Sequence, residues 1–191
     1  MKMLSVRVFL LLVLVSVGLG CRPAASPVVV GERPVSVNGM PMEDAPRQPF
    51  KPIPEMSWTR DDGTVQKLKD FHGRVVILDF WATYCAPCIE AIPHLMELER
   101  LHGKDDLAVV GLHVGGPEDR PKVPEFVERL NITYDLGTPE DELSRFVFGR
   151  ETAIPQTAIF GRDGKFIRKI VGFNDKIKEE LDRAVADAVG R

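Results

Sequence analysis

The sequence predicts one α/β domain, built as a β-α-β half followed by a β-β-α half. Three observations carry this. Val75 to Trp81 is an apolar run broken only by Asp79 and rich in β-branched residues, as a buried strand requires. Behind it, Ile89, Ile92, Leu95, Met96 and Leu98 recur at helical spacing. After a second apolar run, Leu107 to Val114, two short strands flank the turn Gly161-Arg-Asp-Gly164 and a last helix follows.

Lys2 and Arg7 form a short basic region, and Val8 to Gly20 is an uncharged, largely apolar stretch of thirteen residues. A spanning helix needs about 20 such residues, so residues 1–20 read as a secretory signal. The stretch ends Val17-Gly18-Leu19-Gly20-Cys21, which resembles the lipobox of bacterial lipoproteins, although Gly18 stands where that family usually has Leu. The resemblance implies that Cys21 is lipidated and tethers the protein to membrane lipid. It also accounts for the odd one of three cysteines, a liability in an exported protein. An ordinary signal peptide with a chance cysteine is the alternative. Without residues 1–20 the chain carries 23 basic against 28 acidic residues, so no basic balance points to nucleic acid.

Residues 21–54 hold eight of the fifteen prolines and show no periodicity. They read as a Pro-rich tether, about 90 Å long if about 30 residues were fully extended at ~3.1 Å each. Residues 55–191 are one domain's worth of chain. Trp58 and Val65 to Lys67 flank the turn signal Asp61-Asp62-Gly63, as in a small hairpin. Val75–Trp81 is the first central strand, and Cys85–His102 a helix that Pro93 is expected to kink. Leu107–Val114 is a second buried strand. A Gly/Pro loop leads to a short helix at Pro124–Leu130, and Asp141–Phe148 reads as another. Thr157–Phe160 and Phe166–Val171 form a hairpin. The last helix, from Asp175, lines up Ile177, Leu181, Ala184, Val185 and Ala188 on one face.

The chemistry sits at Cys85-Ala86-Pro87-Cys88, where the first strand gives way to its helix. Cysteines at i and i+3 lie one turn apart, close enough for a short disulfide loop. Free N–H groups and the dipole at a helix N-terminus favour the Cys85 thiolate, the reactive form, whose pKa in such motifs falls to roughly 3.5–7.5. This is the chemistry of thiol–disulfide exchange. Cys85, as the exposed residue at the helix start, would attack; Cys88 would resolve the mixed disulfide. Half a zinc site is the competing reading. It needs two more ligands, and His72, His94, His102 and His113 are scattered without pairing, so no metal is expected. A c-type haem site would need His after Cys88, and Ile89 excludes it. A purely structural disulfide stays open. Asn131-Ile132-Thr133 is read as a chance sequon. No cofactor is called for.

These motifs resemble the thioredoxin fold over the whole domain. Phe80-Trp81-Ala82 before the cysteines, Pro87 between them, Pro93 after them and Ile154-Pro155 before the third strand all sit where thioredoxins have them. Phe-Trp-Ala-Thr-Tyr-Cys-Ala-Pro-Cys and Ile-Pro-Gln-Thr-Ala-Ile-Phe-Gly-Arg-Asp-Gly-Lys are similar to the extracytoplasmic TlpA/ResA branch. That resemblance implies a central mixed sheet flanked by helices, with an extra N-terminal β-hairpin and a mid-fold insertion. It further implies that Pro155 is cis, that the Ile154 backbone lies beside the Cys85 sulfur, and that Trp81 and Tyr84 border the same substrate groove. Trp81 and Tyr84 are otherwise ordinary core or surface residues. Asp79 falls where thioredoxins keep a buried acid that exchanges a proton with the second cysteine, the alternative being an outward-facing strand residue. The branch tends to have Asn there, and a Glu three residues after its second cysteine. Here that position is Ala91, with Glu90 one place earlier, so Asp79 is expected to carry the proton work alone.

Ala86-Pro87 brings no charge between the cysteines, which leans towards a reductant near the thioredoxin potential of about −270 mV rather than the roughly −120 mV of DsbA. The resemblance implies a membrane electron donor of the DsbD or CcdA type. It implies disulfide-bonded extracytoplasmic substrates such as apocytochrome c, and a place on the periplasmic or outer side of the cytoplasmic membrane. An oxidase or isomerase of the same fold, a thiol peroxidase and a non-catalytic lipoprotein binding module remain as alternatives.

Overall fold

The computed structural model describes residues 51–190. The expected signal segment, Cys21 and the tether up to residue 50 lie outside the described residues. The elements are β1 (Ser57–Arg60), β2 (Val65–Lys67), β3 (Val75–Trp81), α1 (Ala86–His102), β4 (Leu107–His113), α2 (Val123–Leu130), β5 (Asp135–Pro139), α3 (Asp141–Phe148), β6 (Gln156–Phe160), β7 (Phe166–Val171) and α4 (Asp175–Val189). They build a seven-stranded sheet in the order β2-β1-β5-β4-β3-β6-β7. β3, β4 and β5 are parallel, while β6 and β7 on one side and β1 and β2 on the other are antiparallel.

β3 is buried along all seven residues because both faces of the sheet are covered. Strand alternation sends Val75, Ile77 and Trp81 to a cluster with Ile92, Leu95 and Leu98 of α1, Phe126 of α2, and Leu181 and Val185 of α4. Val76, Leu78 and Phe80 go to the opposite face, against Leu143 and Val147 of α3, Trp58 and Phe71. This is the thioredoxin fold. The β1–β2 hairpin is added at its start, and the segment carrying α2 and β5 is the insertion.

α1 starts where Cys85 caps it and runs as one helix through Pro93 to His102, ending against Gly103. Glu99 on its buried side closes a gap in the sheet. Val109 lies just outside the β4–β5 ladder, and the Glu99 carboxylate accepts its N–H at 3.0 Å. β5, between α2 and α3, is a strand that the sequence pattern does not announce. Gly137 lets it approach β1, since a Cβ there would lie 2.8 Å from the Thr59 carbonyl oxygen and 2.9 Å from the Trp58 ring.

Candidate active site

Cys85 and Cys88 are joined by a disulfide with an S–S distance of 2.02 Å. Cys85 is the N-cap of α1, and its sulfur accepts the Cys88 backbone N–H at 3.2 Å. That donor belongs to the first turn of the helix, where N–H groups lack intrahelical partners and the dipole is positive. A donor placed there favours negative charge on the Cys85 sulfur over the Cys88 sulfur. Pro87 stands in the first turn, where its missing N–H costs nothing.

One expectation needs correction. Cys85 is only 6% exposed and Cys88 fully buried, so the outer cysteine offers an edge of sulfur rather than an exposed side chain. The cover comes from the loop before β6. The Ile154–Pro155 peptide bond is cis, and the Ile154 carbonyl oxygen lies 3.6 Å from the Cys85 sulfur. Ile154 is half-buried and Pro155 buried. Tyr84, next to Cys85, is 66% exposed. Trp81 is the second correction. It does not border a surface groove but is fully buried, stacked on Phe126 at 5.0 Å between ring centroids and edge-on to His113 at 5.3 Å. The inserted helix α2 is what covers it.

Asp79 is fully buried in the middle of β3, on the same face of the sheet as Trp81 and α1. It does not face outward. Its Oδ1 accepts the Thr157 hydroxyl at 3.1 Å across the β3–β6 pair, and its Oδ2 has no hydrogen-bond partner among the described residues. Burial pushes its carboxyl up to about 7, against the opposing pull of the Thr157 hydroxyl. Such a group exchanges a proton near neutral pH. Glu90 is exposed on α1, and the buried position beside it is Ala91, so Glu90 does not enter the core. Among the described residues no group of three or more His, Cys, Asp or Glu is placed to hold a metal ion.

Thr157 carries no mark in the sequence pattern, and neither does a trio of half-buried Thr83 with buried Asp119 and His113. Asp119, in the insertion, accepts from the Thr83 backbone N–H at 2.8 Å and from the Thr83 hydroxyl, and lies 3.0 Å from His113 Nε2. Thr83 and Asp119 are 36 residues apart, and nothing in the local pattern marks them as partners.

Comparison with known proteins agrees with this geometry. The Redoxin family model matches residues 48–189. The thiol-disulfide oxidoreductase ResA of Geobacillus thermodenitrificans is 28% identical over 123 residues, spanning 63% of this chain and 69% of ResA. ResA of Geobacillus kaustophilus is 27% identical over 132 residues, spanning 68% of this chain and 72% of its own. The crystal structure of a thiol:disulfide interchange protein of the thioredoxin family from Chlorobium tepidum superposes with a TM-score of 0.61. It is 27% identical, and the match covers 75% of this chain and 99% of that one. With the dithiol at the start of α1 and the hairpin and insertion in place, the chain belongs to the Redoxin family, as a thioredoxin-like oxidoreductase of the TlpA/ResA type.

Proposed function

We propose that this protein is a membrane-tethered, extracytoplasmic reductant of protein disulfides. The coarser activity, thiol:disulfide exchange, follows from one observation: a disulfide-forming pair at a helix N-terminus with the nucleophile's sulfur held by a backbone N–H. The Cys85 thiolate attacks one sulfur of a substrate disulfide, and the other sulfur leaves as a thiolate that takes a proton. Cys88 loses its proton to the ionised Asp79 carboxylate and attacks the Cys85 sulfur. The Cys85–Cys88 disulfide forms and the second substrate thiol is released, so two electrons pass from the dithiol to the substrate. The Ile154 backbone beside Cys85 is the edge along which an extended substrate segment pairs, with Tyr84 at its border.

The finer parts of the reading rest on sequence. The apolar stretch before Cys21 supports export and lipid attachment, on the periplasmic or outer side of the cytoplasmic membrane. The uncharged Ala86-Pro87 pair supports a reducing potential, and a reductant in that compartment needs a membrane donor of the DsbD or CcdA type. Apocytochrome c is the substrate this role suggests. The test is the redox state in growing cells, read by acid quenching and labelling of free thiols with a heavy maleimide. The reading predicts that Cys85 and Cys88 are held reduced and become oxidised when the membrane donor is deleted. A pair held oxidised with the donor present overturns it in favour of an oxidase.

A further inference from the structure

Asp119 is a buried acid that neither the dithiol nor the sheet accounts for. It is 2% exposed, in the turn after β4. Its Oδ2 accepts the Thr83 backbone N–H at 2.8 Å and faces His113 Nε2 at 3.0 Å. Its Oδ1 accepts the Thr83 hydroxyl and faces Lys122 Nζ at 3.4 Å. A carboxylate at this depth is costly unless its oxygens are satisfied, and here both are. Burial pushes the Asp119 carboxyl up, but the bonds from Thr83, His113 and Lys122 outweigh it and hold the group well below the usual carboxylate range. It is an anion at neutral pH.

The local backbone is shaped around this acid. A Cβ at Gly115 would lie 2.3 Å from Asp119 Oδ2 and 2.7 Å from His113 Nε2, so only glycine lets the carboxylate and the imidazole meet there. On the other side, Thr83 is the centre of the turn that delivers the nucleophile. The Cys85 N–H donates to the Ala82 carbonyl at 3.2 Å, closing that turn, and the Val114 N–H donates to the Trp81 carbonyl at 2.9 Å just before it. The insertion therefore grips the turn leading into the redox pair, using both the N–H and the hydroxyl of one threonine.

We propose that Asp119 is a positioning residue for the dithiol: through Thr83 it fixes the Ala82–Cys85 turn, and so keeps the Cys85 sulfur aligned with the Cys88 N–H and the start of α1. The thiolate is stabilised by directed donors, so a looser turn weakens that stabilisation. The charge of Asp119 acts in the opposite sense, because a nearby anion disfavours a thiolate. Removing the acid raises the Cys85 thiol pKa if holding dominates and lowers it if the field dominates. The inference rests on exchange chemistry at Cys85, not on the direction of electron flow, and its test needs no protein substrate.

The experiment follows the pH dependence of Cys85 alkylation by iodoacetamide on the reduced full chain, with site assignment by mass spectrometry. Thr83→Val, Asp119→Asn and the double variant are compared with the unaltered protein, and circular dichroism checks that each is folded. The proposal predicts that both single variants move the Cys85 midpoint upward and slow alkylation at neutral pH several-fold. The double variant goes no further than the larger single, and Thr83→Ser, which keeps the hydroxyl, restores the original profile. Unchanged midpoints in folded variants overturn the proposal, as does a downward shift in Asp119→Asn with none in Thr83→Val. If Asp119→Asn does not fold, the Thr83→Val and Thr83→Ser pair decides by the same criterion.

Discussion

Replacing Asp79 by Asn should stabilise the oxidised protein in a manner that depends on pH. Asn matches the shape of the protonated acid and keeps an oxygen for the Thr157 hydroxyl, so what changes is the cost of ionisation in the core. The carboxyl stands at about 7 in the native state against 3.8 ordinarily. Below about pH 3 the acid is protonated in both native and unfolded chains, and contributes no difference. As the pH rises from about 4 to about 7, the unfolded chain ionises while the native state keeps its proton. The native state then binds more protons, and stability falls with rising pH. Above about 7 both forms are ionised and the loss is complete, at about 4 kcal/mol for a separation of about three pKa units. Asp79→Asn lacks this loss. Urea unfolding of both oxidised proteins from pH 3 to pH 9, followed by the buried Trp58 and Trp81, should show a stability advantage near zero at pH 3. The advantage should grow to about 4 kcal/mol above pH 8. A difference that stays flat across this range would refute the assignment of Asp79 as a buried acid with a raised pKa. The same variant should lose the pH dependence of disulfide reduction between about pH 6 and 9.

Two further predictions concern the dithiol and its floor. Cys88→Ser should accumulate a mixed disulfide through Cys85 when offered a disulfide-bonded peptide, visible as a mass adduct. Cys85→Ser should accumulate none, and an adduct on Cys88 in that variant would reverse the assigned roles. Gly111→Ala places a Cβ 2.7 Å from Leu136 Cδ2, 2.8 Å from Tyr134 Cε2 and 3.0 Å from Trp81 Nε1, all in packed core side chains. It should cost about 1–3 kcal/mol in urea unfolding, and a loss below about 0.5 kcal/mol would show that this face is looser than described.

Much of this was legible in the sequence because the informative residues are local. The apolar run of β3 with its lone acid, the helix opening at Cys85-Ala-Pro-Cys88, and the bounds of α3 and β7 all follow from short-range patterns. β5 was not legible. Asp135-Leu-Gly-Thr-Pro139 carries a turn-like composition, and it is a strand because β4 pairs with it on one side and Gly137 lets β1 come close on the other. Trp81 looked like a groove residue because its motif touches the cysteines, whereas its burial is decided by Phe126, forty-five positions later. The grip of Asp119 on Thr83 and the Thr157 bond to Asp79 join distant segments. They become visible only once the register of β3 with β6 and the course of the insertion are known.

Cys85 and Cys88 form a disulfide at the start of α1, and we propose that the pair works as a reductant. The most direct test is the reduction potential of the pair, measured by equilibrating the protein in graded thiol–disulfide buffers and quantifying the two forms. A reductant gives a value near or below about −250 mV. A value above about −180 mV, or no disulfide at any poise, would contradict that role.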